Sequence, residues 1–229
     1  MDLGLRDVFD PVIMKLYVKK LEQKFVVDDL CGPFVPFVFE DYFDCKKKIL
    51  IIGQQTNIWI GLRESIEKRL LYDELSKESE KFRNGTNQEA TPFWQFAYLL
   101  NKEINGDNKL NFVWTNLVKI GTKYGRPCEK YIFDKVSLTL MSVLYLEIIF
   151  IDPDVVIFLT GPDYDKYIKW FRADTGNEII FHKVLEYEIK EFAEFGLFGR
   201  QCYRINHPDY LQEQNKFDQY LSDLLILIG

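Results

Sequence analysis

Lys46-Lys47-Lys48-Ile49-Leu50-Ile51-Ile52-Gly53-Gln54-Gln55-Thr56-Asn57-Ile58-Trp59 is the stretch whose reading decides the fold. A basic lead-in runs into four aliphatic residues that stop at Gly53, and a polar loop follows at once. An unbroken apolar run of this length suits a central strand of a parallel sheet, buried on both faces. In open α/β sheets ligands bind beyond the carboxyl ends of the strands, so the loop after Gly53 is where chemistry is expected. The other strands are expected to deliver Asn116, Gly161 and His207 to the same edge.

Working outward toward the N-terminus, Asp10-Pro11 reads as a helix cap followed by the first helical residue, with an apolar stripe at Ile13, Leu16, Tyr17, Leu21 and Phe25. Cys31-Gly32-Pro33-Phe34-Val35-Pro36 breaks that pattern, so residues 1–45 read as a helical and loop extension packed on the rest. In the other direction, Gly61 to Arg83 carries Leu62, Ile66 and Leu70 among charges and predicts one amphipathic surface helix, stopped by Asn84-Gly85. Thr91-Pro92 opens a further helix with Phe93, Phe96, Ala97, Leu100 and Ile104 on one face, closed by Asn105-Gly106.

Three more strands follow. Asn111 to Val118 is β-rich, Val155 to Leu159 is a second aliphatic run after Asp152-Pro153-Asp154, and Cys202 to Ile205 leads into Asn206-His207-Pro208. A long helix is expected between the first two of these, from Pro127 to about Ile149, and a final one carries Phe217, Tyr220, Leu221, Leu224, Leu225 and Ile228. Ile179 to Phe195 reads equally as strands or loop. Short apolar strands alternating with helices predict a three-layer α/β/α domain, spanning 1–229, around a mostly parallel four-stranded sheet, because parallel neighbours need crossover helices.

Composition narrows the class. The 229 residues hold 29 Lys plus Arg against 35 Asp plus Glu, a net charge of -6, which argues against a dedicated nucleic-acid coat protein while leaving room for a local basic patch. Cys31, Cys45, Cys128 and Cys202 show no C-x-x-C spacing, so no zinc or iron-sulfur site is signalled and free thiols of a cytoplasmic protein are expected. The first ten residues carry Asp2 and Asp7 with no apolar core of a secretory signal, and no run of 18 apolar residues predicts a membrane span. Neither G-x-G-x-x-G nor a phosphate-loop pattern is present.

The order of short elements is more specific than any one of them. Gly53-Gln54-Gln55-Thr56-Asn57, Thr91-Pro92-Phe93-Trp94, Thr115-Asn116-Leu117-Val118-Lys119, Pro153 to Gly161 and Asn206-His207-Pro208 occur in the sequence order of the uracil-DNA glycosylase superfamily, which the chain resembles from about Lys46 to Tyr210. The segment from Thr115 to Gly161 is most similar to the thermostable, iron-sulfur branch, without its cluster cysteines.

Cleaving an N-glycosidic bond builds positive charge on the sugar and negative charge on the departing base, so such a site needs a donor at the base oxygen and a group that places water. The base must also be flipped out and held by a ring face and by hydrogen bonds to its pairing edge. The resemblance implies that His207 donates to the base, that Gln55 or Asn57 positions water, and that Asn116 and the Gln54 backbone read the base. It gives Phe93 or Trp94 the stacking role, although Phe93 also fits the core stripe of its helix. Lys119, Lys123 and Arg126 cluster just beyond Asn116, which reads either as a solvated face or as the place where DNA phosphates lie, and the resemblance puts Tyr210 and Leu211 where the family inserts a wedge.

The partner implied is DNA carrying a damaged base, bound by a monomer with no metal and no organic cofactor. Two positions depart from the pattern. The best-known branch has Asp where this chain has Gln55, and Ser is common where it has Asp209; a Gln is no general base, and a carboxylate disfavours nearby phosphate. A glycosylase fold that binds a nucleobase, DNA or a protein without cleaving anything is therefore the alternative. His207 also has a purely structural reading, as a cap before Pro208, as does Asn116, which at a strand end can satisfy backbone groups. His182, inside an apolar run, reads as structural.

Overall fold

The computed structural model describes residues 5–22, 30–56, 60–84, 91–106, 111–122, 143–171 and 178–229. Its central feature is a six-stranded sheet in the order β3-β2-β5-β8-β7-β6. β2 (Ile49–Gln55), β3 (Val113–Val118), β5 (Val155–Phe158) and β8 (Arg200–Ile205) are the four strands expected from the sequence. β5 pairs parallel to β2, with Ile49 opposite Val155 and Ile52 opposite Phe158, and β8 pairs parallel to β5, with Phe158 opposite Arg204. Ile49, Leu50, Ile51, Ile52, Val156, Ile157 and Phe158 have no exposed surface, as strands covered on both faces must.

The expectation of four strands falls short by two. Inside the ambiguous stretch lie β6 (His182–Lys183) and β7 (Phe192–Leu197), which extend the sheet antiparallel at one edge. β7 and β8 are joined by Phe198 and Gly199 alone, with φ of 51° and 75°. A two-residue loop with both φ positive has the twist that a hairpin requires, and Phe at the first position hides it from a reading that looks for Asn or Asp. Gly199 supplies the residue such a turn favours at its second position, and the register from Phe192–Ile205 to Leu197–Arg200 holds the hairpin.

The chain packs as two compact units interleaved in sequence, one of Met1–Phe37, Gln54–Phe82 and Thr115–Phe150, the other of Val38–Gly53, Arg83–Trp114 and Ile151–Gly229. In the first, a two-stranded antiparallel sheet pairs β1 (Leu30–Cys31) with β4 (Gly121–Thr122). Gly121 is required there: a Cβ would lie 1.7 Å from the Thr56 carbonyl oxygen. α1 covers Leu5–Glu22, so Pro11 lies inside the helix and not at its start. Asp10 does cap a helix, but a distant one: its Oδ1 accepts the Tyr72 N–H at 2.9 Å, at the start of α3 (Tyr72–Asn84), while Phe9 stacks on Tyr72 at 5.2 Å. The single helix expected from Gly61 to Arg83 is two, α2 (Leu62–Glu67) and α3, separated where Arg69 takes a φ of 50°.

In the second unit, α4 (Pro92–Asn105) starts and stops as its sequence signals predict, with Pro92 in its first turn and Gly106 at φ 87° just after its end. Near that end, the Asn105 side chain accepts the Lys47 N–H at 3.0 Å and donates to the Lys47 carbonyl at 2.9 Å, fastening the helix to the approach to β2. Residues 143–151 form α5, which precedes β5; the start of the helix expected from Pro127 lies outside the described residues. α6 (Asp165–Ile168) follows β5, and α7 (Pro208–Glu213) and α8 (Phe217–Ile228) close the chain, α8 burying Tyr220, Leu221, Leu224 and Ile228.

Candidate functional site

In the second unit the candidate residues gather around His207. β8 ends at Ile205, and His207 stands as the N-cap of α7 with Pro208 as its first residue. A residue before proline is held extended, which suits a cap, and the His207 backbone has φ -58° and ψ 137°. Pro208 and Leu211 are buried, and the Leu211 N–H donates to the His207 carbonyl at 3.1 Å. The base of the imidazole is thereby fixed by a short helix anchored in the core. Its ring remains partly open, with 26% of the side-chain surface exposed.

Two contacts define the state of that ring. The Asp209 N–H donates to Nδ1 at 3.4 Å, and the Asp209 carboxylate lies 3.7 Å from the same nitrogen. Accepting a backbone proton leaves Nδ1 without its own, so the neutral tautomer carries its hydrogen on Nε2. Burial lowers the His207 pKa below its ordinary value, and the Asp209 charge raises it by less. The side chain is a neutral donor through Nε2, a nitrogen with no hydrogen-bond partner among the described residues.

Against this ring lies Phe93 of α4, centroids 5.8 Å apart and planes inclined by 23°. The neighbouring Trp94 goes the other way: it is 5% exposed and packs edge-on to Trp114 at 4.8 Å and to Phe93 at 5.2 Å. Phe96, Ala97, Leu100 and Ile104 are buried as the expected core stripe, but at the start of the helix Trp94 holds the core position and Phe93 is half-buried. Trp114, expected only as a strand residue, is buried and meets Trp94 at 4.8 Å and Phe93 at 6.4 Å.

Just upstream, Arg204 fixes the strand end. It is the largest fully buried side chain, and its guanidinium meets Asp165 of α6 through Nε at 2.9 Å and Nη2 at 3.2 Å while donating to the Lys190 carbonyl at 2.9 Å and to that of Ile189. The loop after β5 is tied in by the Gly161 N–H, which donates to the Ile205 carbonyl at 2.9 Å, with Gly161 at φ 72°. Arg204 is thus spent inside the protein. Tyr210 is about half exposed, whereas Leu211 is fully buried and cannot act as a wedge from where it stands.

The first unit holds the remaining candidates. Gln54 and Gln55 end β2 and are half-buried, and Asn116 lies in β3 with 3% exposure. Thr56, the next residue, is buried, its hydroxyl donating to the carbonyls of Val118 and Lys119 at 3.3 and 3.2 Å. Asn57, Lys123 and Arg126 lie outside the described residues.

Lys119 is the clearest departure from the sequence expectation, which set it on a solvated face or against phosphates. Its side chain has no exposed surface and its ammonium donates to the Glu147 carboxylate and to the Thr115 hydroxyl, which in turn donates to Glu147 at 2.8 Å. The ammonium also sits 5.7 Å from the centre of the Phe34 ring. Burial pushes the Lys119 pKa down and that of Glu147 up, each offset in part by the other's charge. The signal missed was Glu147 itself, a lone carboxylate in the run Val143-Leu144-Tyr145-Leu146-Glu147-Ile148-Ile149-Phe150-Ile151, which a buried helix carries only with a partner.

No family model matches the chain, and no curated protein matches it significantly. Among the described residues no group of three or more His, Cys, Asp and Glu could hold a metal ion, and no helix is long and apolar enough to cross a membrane.

Proposed function

We propose that the chain is a DNA glycosylase of the uracil-DNA glycosylase type, hydrolysing the N-glycosidic bond of uracil or another damaged base. The observation that carries this reading is the state of His207: a neutral imidazole at a strand end, with its hydrogen on Nε2 and that nitrogen uncommitted among the described residues. Such a donor meets the negative charge that grows on a base oxygen as the bond breaks, and a preorganised donor of this kind contributes on the order of 10²–10³ in rate. The resemblance gives base-edge recognition to Asn116 and the placing of water to Gln55 or Asn57, with no cofactor.

The test is base release from uracil-, hypoxanthine- and other lesion-containing oligonucleotides, single- and double-stranded, with His207→Ala and Asn116→Ala alongside. Release by the native chain that is lost in both folded variants supports the reading.

A second reading is favoured by Lys119 and Leu211, both sealed inside, and by an amide at position 55. On it the chain binds a nucleobase or DNA without cleaving it. Saturable binding of the same oligonucleotides without release, together with release gained on Gln55→Asp, would select it.

A further inference from the structure

We infer that Phe93 is a positioning residue for the His207 imidazole, and that the face it turns to His207 is closed to a flipped base. The inference deepens the glycosylase reading and rests on it for its catalytic consequence, though its physical core does not. Carbon atoms in contact sit roughly 3.5 Å apart, so a base inserted between two rings needs them about 7 Å apart. The Phe93 and His207 centroids are 5.8 Å apart, and the separation of the ring planes is no greater. No base fits between them. On the face it turns to His207, Phe93 already has its ring partner.

What that partner gains follows from the chemistry of imidazole. A benzene ring inclined by 23° and displaced sideways sets apolar surface against part of the imidazole, taking the place of water that would stabilise the protonated ring. Asp209, on the imidazole's own helix, is the charged group acting on it among the described residues, and what α4 sets against it is the apolar Phe93 ring. Phe93 therefore works with the Asp209 N–H: one holds the ring plane and keeps it neutral, the other keeps its hydrogen on Nε2.

The chain contains two histidines, His182 and His207, so an NMR titration of the imidazole nitrogens resolves both in the full-length protein. In Phe93→Leu the His207 titration is expected to move up toward the ordinary histidine value with His182 unchanged, and in Phe93→Tyr to stay where it is. Phe93→Met, which keeps the volume without the flat face, gives the same answer if the leucine variant folds poorly. On the substrate that the native chain cleaves, Phe93→Leu is expected to lower kcat at least tenfold with KM within about twofold, and Phe93→Tyr to restore it. An unmoved His207 titration in both Leu and Met variants overturns the inference, as does a raised KM with unchanged kcat, the mark of a base-stacking ring. If the native chain releases no base at all, the glycosylase reading fails, and the titration still decides whether Phe93 sets the state of His207.

Discussion

Lys119 and His207 were both expected to face a ligand, and the two units treat them in opposite ways. In the first, the Lys119 ammonium, the Thr115 hydroxyl and the Glu147 carboxylate are sealed together with no exposed surface. In the second, His207 keeps a quarter of its side chain in reach of solvent, spends Nδ1 on a backbone N–H and leaves Nε2 uncommitted among the described residues. A buried charge needs a partner, and Lys119 and Glu147 supply each other's inside their unit through Glu147 Oε2, while Glu147 Oε1 has no hydrogen-bond partner among the described residues. A half-buried donor with one nitrogen fixed and one available has the form that the proposed glycosylase site requires of His207.

The widest gap between these two groups should appear on deleting a partner. Glu147→Ala leaves an ammonium buried beside a hydroxyl and is expected to cost about 3–5 kcal/mol in urea unfolding. The double change Lys119→Met with Glu147→Leu is expected to recover most of that loss. A single-variant cost under about 1 kcal/mol would show the pair to be hydrated and would break the contrast. Leu211→Ala, which empties a fully buried site under α7, should cost roughly 2–5 kcal/mol by the same measurement, whereas an exposed wedge would cost almost nothing.

The smallest expected effect is the most local. Asp209 raises the His207 pKa, so Asp209→Asn should lower it further, read in the NMR titration, while stability at pH 7.5 changes by less than about 0.5 kcal/mol because the carboxylate is exposed. With the folded pKa below the unfolded value, the neutral ring's stabilising contribution is full above about 6.5 and is lost as pH falls from there through the lower folded value. Asp209→Asn should therefore lose more stability than the native chain between pH 7.5 and 5.

Of the four strands that are legible, Ile49 to Ile52 and Val155 to Phe158 are aliphatic runs that end abruptly, while Asn111 to Val118 and Cys202 to Ile205 show themselves by β-prone residues before a polar turn. Strand burial on both faces leaves its mark in composition alone. What was not legible depends on partners far away in sequence. Asp10 looks like a cap for its own helix, yet Tyr72 takes its carboxylate. Phe93 and Trp94 are adjacent, about 100° apart on a helix, and only the packing against Trp114 decides which faces the core. Lys119 shows its charge in the sequence but not its depth. His207 is singled out by its position after a strand and before a proline, and the structure adds what the sequence lacks, the Asp209 N–H at Nδ1 and the Phe93 ring beside the imidazole.

The most direct test of the central claim pairs two measurements on His207→Ala: urea unfolding, and single-turnover release from the oligonucleotide the native chain cleaves fastest. If His207 is there for chemistry, unfolding stability stays within about 1 kcal/mol while the release rate falls by about 10²-fold or more. Release that continues at the native rate in a stable variant, or a variant that loses stability while the native chain releases no base, would contradict it and leave His207 as the cap of α7 alone.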